Sequence, residues 1–277
     1  MMDLAKSLAS GVSRVDMSII IPAYNEEKRI KTSLVRLLSY FKENFRGRYE
    51  VIIIMDGCTD LTPKVVGQMA EADDEIIPLY FPTRLGKGGA FIEAFKHAKG
   101  GVLLLVDADL PTPPAELVRL FGLAKRHGFV IGSRYAKDSR VLIKEPTLRL
   151  FLGRGFNVVS KLLFRRLRGI SDTQCGLKAI RADVVGELSK DLFITGFAFD
   201  VNLIYSAMRH GFNVKEVGVA WTHEESGSKV SGALLKLMMG MFFSLVKLRL
   251  YYSRFKRILE TGMMKKLSEF VWRLTTA

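Results

Sequence analysis

Val102-Leu103-Leu104-Leu105-Val106, followed at once by Asp107-Ala108-Asp109, is the stretch on which the fold turns. An unbroken apolar run, without the polar alternation of a half-exposed strand, is what a central strand covered on both faces requires. Such a strand belongs to an α/β fold with a mostly parallel central sheet flanked by helices, and open sheets of that class bind ligands beyond the carboxyl ends of their strands. Asp107 and Asp109 stand at that end. Two hard oxygen ligands there suit Mg2+ or Mn2+ held against a diphosphate. A bare Asp-x-Asp also suits a solvated turn, and the apolar run before it favours the ligand reading.

Working outward, βα units run from Met17 to Arg134. Ser18-Ile19-Ile20-Ile21 reads as a strand stopped by Pro22, and Ile30, Leu34, Leu37, Leu38, Phe41 and Phe45 then repeat at helical spacing. Val51-Ile52-Ile53-Ile54 is a second strand ending at Asp56-Gly57, with Thr59 expected to cap the next helix. Ile76 to Tyr80 is a third. Beyond the central strand, Pro113-Pro114 opens a helix to His127, and Phe129 to Gly132 is a further strand. Tyr24, Glu26 and Asp56 thus join Asp107 and Asp109 at strand ends. Gly86-Lys87-Gly88-Gly89, leading into a helix, offers backbone N–H groups and a lysine to a phosphate or base. A plain glycine-rich turn is the alternative; the patterns of P-loop hydrolases and of dinucleotide folds are absent.

The 277 residues, 48% hydrophobic, suffice for a full α/β core plus an appendage. Cys58 and Cys175 form neither a disulfide framework nor a paired metal-ligand spacing. The formal charge of +14 calls for a polyanionic partner. Residues 233–277 hold nine Lys/Arg and two Glu, so about half of that charge lies in the tail. The start, Met1 to Ser13, lacks the apolar run and cleavage site of a secretory signal. Leu237 to Val246 is uncharged but bounded by Lys236 and Lys247, shorter than the ~18 apolar residues of a spanning helix. A catalytic domain over residues 1–232 is therefore expected. The basic amphipathic helical tail, 233–277, is expected at a membrane surface or in a homo-oligomer contact.

Five motifs in order carry a resemblance: Ile20-Ile21-Pro22-Ala23-Tyr24-Asn25-Glu26, Asp56-Gly57-Cys58-Thr59-Asp60, Gly86-Lys87-Gly88-Gly89-Ala90, Asp107-Ala108-Asp109 and Gly132-Ser133-Arg134-Tyr135. Together they resemble the family 2 glycosyltransferases. Asp172-Thr173-Gln174-Cys175-Gly176, Phe197-Ala198-Phe199-Asp200, Trp221-Thr222 and Gly227-Ser228-Lys229 are similar to the dolichyl-phosphate β-glucosyltransferases, with dolichyl-phosphate mannose synthases as cousins.

The resemblance implies a GT-A fold and an inverting, metal-dependent transfer of a hexose from a nucleotide-sugar to a polyprenyl (dolichyl) phosphate. The lack of a secretory signal and the basic amphipathic tail together lead to the expectation of a protein held peripherally on the cytoplasmic face of a membrane. The resemblance also implies that Pro22, Ala23, Tyr24, Glu26, Asp56, Lys87, Asp107 and Ala108 bind the nucleotide-sugar, and that Asp107 and Asp109 hold Mg2+ or Mn2+. Two departures bear on this. Met55-Asp56-Gly57-Cys58 keeps one carboxylate where the family has two, and Pro111 replaces the third metal ligand of the mannose synthases.

A lipid phosphate is largely ionised near neutral pH, its second pKa being about 6, so no protein base is needed. Cations must converge instead, and Arg134, Lys178 and Lys229, with Ser228, are expected at the acceptor phosphate. Arg149 and Arg154 read as a solvated basic face. Asp109, Arg134, Asp200 and Lys229 are the expected catalytic set. Asp200 either positions substrate, caps a helix, or serves as general base in a rival enzyme that glycosylates a hydroxyl. UDP-glucose and GDP-mannose both remain open as donors, the second half of the chain favouring the former. A non-catalytic basic protein binding membranes or nucleic acid is the reading of another class, and strand-end acids oppose a nucleic-acid partner.

Overall fold

The computed structural model describes residues 15–143, 147–222 and 232–276. The first half alternates strands β1 (Val15–Ala23), β2 (Tyr49–Asp56), β3 (Ile76–Phe81) and β4 (Gly100–Leu105) with helices α1 (Ile30–Asn44), α2 (Thr62–Ala72) and α3 (Lys87–Ala94). Helix α4 (Pro114–His127), β5 (Phe129–Ser133), β6 (Arg140–Ile143) and α5 (Thr147–Leu163) follow. Next come β7 (Lys178–Arg181), α6 (Ala182–Leu188), α7 (Phe199–Arg209), β8 (Val214–Gly218), β9 (Ala220–Thr222), α8 (Gly232–Tyr251) and α9 (Gly262–Thr276).

Seven strands form one sheet in the order β3-β2-β1-β4-β7-β5-β8, and β6 pairs with β9 in a small second sheet. All pairings are parallel except those of β7, which runs antiparallel to both β4 and β5. Strand β4 lies between β1 and β7, and Ile20 of β1 stands opposite Ile52 of β2 on one side and Leu105 of β4 on the other.

Period-two geometry sends alternate residues of each strand to opposite faces. Ile19, Ile21, Ile53 and Leu104 join Leu34 and Leu37 of α1 and Leu117 and Leu120 of α4. Ile20, Ile52, Leu103 and Leu105 pack on the other face with Phe91 of α3 and Phe199 and Leu203 of α7. Met241, Leu245 and Leu248 of α8 are buried in that second cluster. Among the described residues, no helix is long and apolar enough to cross a membrane.

Two local expectations are corrected. Thr59 does not cap α2, which begins at Thr62; the Thr59 N–H is held by the Asn25 side chain at 2.8 Å, and Asp60 accepts the Thr62 N–H at 2.9 Å. Val106 lies just past β4, although its N–H still donates to the Ile20 carbonyl at 3.0 Å.

Candidate active site

A cleft of about 430 Å3 opens beyond the carboxyl ends of β1, β2 and β4. From β4 the chain turns sharply: the Leu110 N–H donates to the Asp107 carbonyl at 3.0 Å, and Leu110 itself takes a left-handed φ of 46°. That turn presents Asp107 and Asp109 to the cleft while Ala108 and Leu110 stay buried. Gly176, from the loop before β7, lies so close that a Cβ there would run into the Asp107 carboxylate.

Lys87, the first residue of α3, sets its Nζ 2.6 Å from Asp107 Oδ1. Burial works to raise the Asp107 carboxyl, but the Lys87 ammonium, with Lys178 and Arg134, outweighs it and holds the group below the usual carboxylate range. Asp109 is pushed the other way, first by burial and then by the charge of Asp107. One acid of the pair is therefore compensated and the other is not.

The loop after β1 brings Pro22, Ala23, Tyr24 and Glu26 to the cleft. It is pinned through Asn25, at a left-handed φ of 54°, whose side chain bonds Thr59. Glu26 chelates Arg29 through two bonds of 2.8 and 2.9 Å, and burial raises its carboxyl despite that partner. Asp56, at the end of β2, accepts the backbone N–H groups of Leu85 and Gly86, so the single carboxylate left in its motif organises the glycine-rich loop. Arg84 completes this end. Its guanidinium carbon lies 3.4 Å from the Tyr24 ring centroid and its Nε 3.6 Å from Asp56, yet Nε and Nη1 are buried without a hydrogen-bond partner. Unsatisfied buried donors of this kind are uncommon and ask for a ligand acceptor.

Arg134, after β5, is chelated by Asp172: Nε to Oδ2 at 2.8 Å and Nη2 to Oδ1 at 3.1 Å, with its backbone N–H on Oδ2 at 3.0 Å. Glu216 in turn accepts the N–H of Asp172 at 2.8 Å. Burial acts to lower the Arg134 pKa, and the Asp172 carboxylate overrides it and raises it well above the ordinary value. The guanidinium also lies against the rings of Tyr135 and Trp221.

Asp200 reaches the cleft floor from the first turn of α7, whose N-cap is Ala198, so the helix-capping alternative for Asp200 does not hold. Lys178 Nζ sits 2.8 Å from Asp200 Oδ1 and also donates to the Cys175 carbonyl. With its side chain 1% exposed, Lys178 is not among the cleft-lining residues and meets the site through Asp200. Ser228 and Lys229 lie outside the described residues.

Several lining residues carry no motif signal: Arg29, Arg84, Phe156 of α5, and Leu237, Met238 and Met241 of α8. Arg84 directly precedes Leu85-Gly86-Lys87, and a basic residue on a loop leaving a strand end was the one cue available. The α8 residues were legible only as tail hydrophobics.

A family model described as glycosyl transferase family 2 matches residues 18–189. A dolichyl-phosphate beta-glucosyltransferase of Trichomonas vaginalis is 31% identical over 251 residues, 86% of this chain and 74% of the relative. One from Dictyostelium discoideum is 32% identical over 253 residues, 87% of this chain and 76% of its own length. In fold, the chain resembles glucosyl-3-phosphoglycerate synthase from Mycobacterium tuberculosis, solved with Mn2+, UDP-glucose and phosphoglyceric acid. The TM-score is 0.65 at 19% identity, over 90% of this chain and 83% of that one.

Proposed function

The chain belongs to glycosyl transferase family 2, and from that premise we propose that it moves glucose from UDP-glucose to a polyprenyl (dolichyl) phosphate, inverting the anomeric carbon. The observation that carries this reading is the change of character within one cleft. Asp107, Asp109 and Arg134 line it together with Phe156, Leu237, Met238 and Met241. A water-soluble acceptor has no use for the apolar wall; a phosphate on an isoprenoid chain uses both ends. The names of the relatives support glucose and dolichyl phosphate.

In this proposal the nucleoside lies among Pro22, Ala23, Tyr24, Glu26 and Asp56, and Arg84 donates Nε and Nη1 to acceptor atoms on the base. Asp107 and Asp109 fit Mg2+ or Mn2+. Both are hard oxygen donors, and Asp109, whose carboxyl is raised first by burial and then by the charge of Asp107, gains a counter-charge from a dication. Among the described residues, no cluster of three or more His, Cys, Asp or Glu forms a complete cage. The two carboxylates would therefore share the ion with water and the donor's phosphates, a common Mg2+ arrangement. Bound there, the ion supplies neutralisation of the departing diphosphate.

Lys87 turns from Asp107 toward phosphate oxygen, and Arg134, with Ser228 and Lys229, orients the acceptor phosphate. An acceptor oxygen bonds to the anomeric carbon as the bond to the diphosphate breaks and the nucleoside diphosphate leaves; no proton moves. Asp200 serves as a positioning group. A hydroxyl acceptor would need it as base, and its Oδ1 is engaged by Lys178 at 2.8 Å.

The catalytic unit of this proposal extends past the expected boundary at residue 232 to take in α8, whose Leu237, Met238 and Met241 line the cleft and whose Leu245 and Leu248 are buried in the core; the basic tail lies at the cytoplasmic face of a membrane, held peripherally. The test is transfer of labelled sugar from UDP-glucose or GDP-mannose, with Mg2+ or Mn2+, into organic-extractable polyprenyl phosphate. Lipid label from UDP-glucose is expected. Consumption of donor only when a soluble glycan is present would replace the lipid acceptor by a hydroxyl, with Asp200 as base.

A further inference from the structure

Helix α5 is apolar on two sides. Its inner side buries Phe156 in the core and sets Leu152 and Gly153 on the cleft wall. Its outer side carries Leu148, Phe151, Val158 and Leu162, which are 51%, 74%, 56% and 69% exposed. At ~100° per residue these four fall within an arc of roughly 80°, turned away from the buried face. A helix on a water-exposed surface puts polar residues there. The strand leading in adds Leu142 and Ile143, 68% and 50% exposed.

Helix α8 packs against α5 and repeats the arrangement. Leu237, Met238 and Met241 line the cleft, while Met239 and Phe242 stand in solvent. The two helices thus share a cleft wall and an outward apolar rim. Charge tells what covers the rim. Arg140 to Gly169 contains eight Lys/Arg and one Glu, and Arg165 and Arg168, just past the end of α5, are exposed. Apolar side chains flanked by cations match the interface of an anionic bilayer, where chains enter the acyl boundary and cations meet headgroups.

We infer that α5, together with α8, is a membrane-docking surface of this protein, seated on an anionic bilayer so that the cleft opens at the lipid interface. This rests on the lipid-acceptor reading above and adds that the acceptor reaches Arg134 while its chain stays in the bilayer.

The experiment uses the full chain and flotation with vesicles of phosphatidylcholine, with and without phosphatidylglycerol. Phe151→Ser with Leu162→Ser, and independently Leu148→Ser with Val158→Ser, remove exposed side chains only; thermal melts establish that each pair folds. Each pair is expected to lower partition onto anionic vesicles by ~10-fold or more and to impair transfer to vesicle-embedded polyprenyl phosphate. Transfer to a short, water-soluble isoprenyl phosphate stays unchanged. Wild-type-like flotation of both folded variants would overturn the inference. So would a wild-type dimer that the variants break while vesicle partition persists, because the rim would then cover a second copy. Failure of the wild type to use any isoprenyl phosphate, with flotation as expected, would instead overturn the acceptor reading and leave the docking surface standing.

Discussion

Asp172→Asn tests the site at the point where its geometry is most determined. Asp172 is fully buried, and its two oxygens take four N–H groups: Arg134 N and Nε on Oδ2, Arg134 Nη2 and Gln174 N on Oδ1. Asparagine retains one oxygen, so in either orientation two of those N–H groups face an amide NH2, and the buried guanidinium loses its counter-charge. Removing one partner of a buried ion pair costs about 3–5 kcal/mol. At ~2–4 °C per kcal/mol for a domain of this size, the melting temperature should fall by roughly 6–20 °C. Arg134, no longer held by a fork, should lose transfer by ~100-fold through misorientation.

The pH dependence carries the sign of the linkage. Burial opposes ionisation of Asp172, yet Arg134 and the backbone N–H groups hold its folded pKa below the unfolded one. The pair's stabilisation is present above the unfolded pKa, ~3.9, and fades as pH falls through the folded value. The variant's deficit should therefore be full at neutral pH and shrink in strong acid. Melts followed by circular dichroism across pH, with transfer assays at neutral pH, decide it. A variant melting within ~2 °C of wild type with intact transfer would refute the reasoning.

Two further substitutions probe the acidic end. Asp109→Asn should abolish transfer yet melt no lower than wild type at neutral pH without metal, because the folded state disfavours ionised Asp109 by burial and by repulsion from Asp107. Adding Mn2+ should raise the melting temperature of wild type and not of the variant, and undiminished turnover would remove Asp109 from the metal site. Gly176→Ala puts a methyl group against the Asp107 carboxylate; transfer should fall by ~10-fold or more while nucleoside binding, measured with uridine, stays near wild type.

The run from Val102 to Asp109 was legible because a doubly covered strand has a composition of its own, and the structure covers it with α1 and α4 on one face and α3 and α7 on the other. Strand β7 was not legible. Four residues, Lys-Ala-Ile-Arg, show no period, and a lysine in a central strand is tolerated because Asp200, brought in by α7, and the nearby Cys175 carbonyl receive its charge. Strand-end acids were found because they follow strands directly. Arg84 was not, because its place is defined by Tyr24, sixty residues earlier, through a stacking contact that no local pattern encodes. The apolar wall of the cleft escaped for the same reason: Phe156 and Met241 meet only when α5 and α8 pack.

The position of β7 also governs the order in which the protein is assembled. Among the described residues, strand β5 has no hydrogen-bonded neighbour in the sheet other than β7 and β8, both of which leave the ribosome later. Strands β1 to β4 are all synthesised before residues 178–181, and until these arrive the β4 edge that β7 will pair has no strand beside it; in the sheet it is β7 that lies between β4, with the acids after it, and β5, with Arg134 after it. Fragments ending between β5 and β7 keep that edge bare, and bare apolar edges seek partners on other chains. The two halves of the cleft's strand ends are thus synthesised separately and joined through β7, and the apolar wall from α8 follows later still.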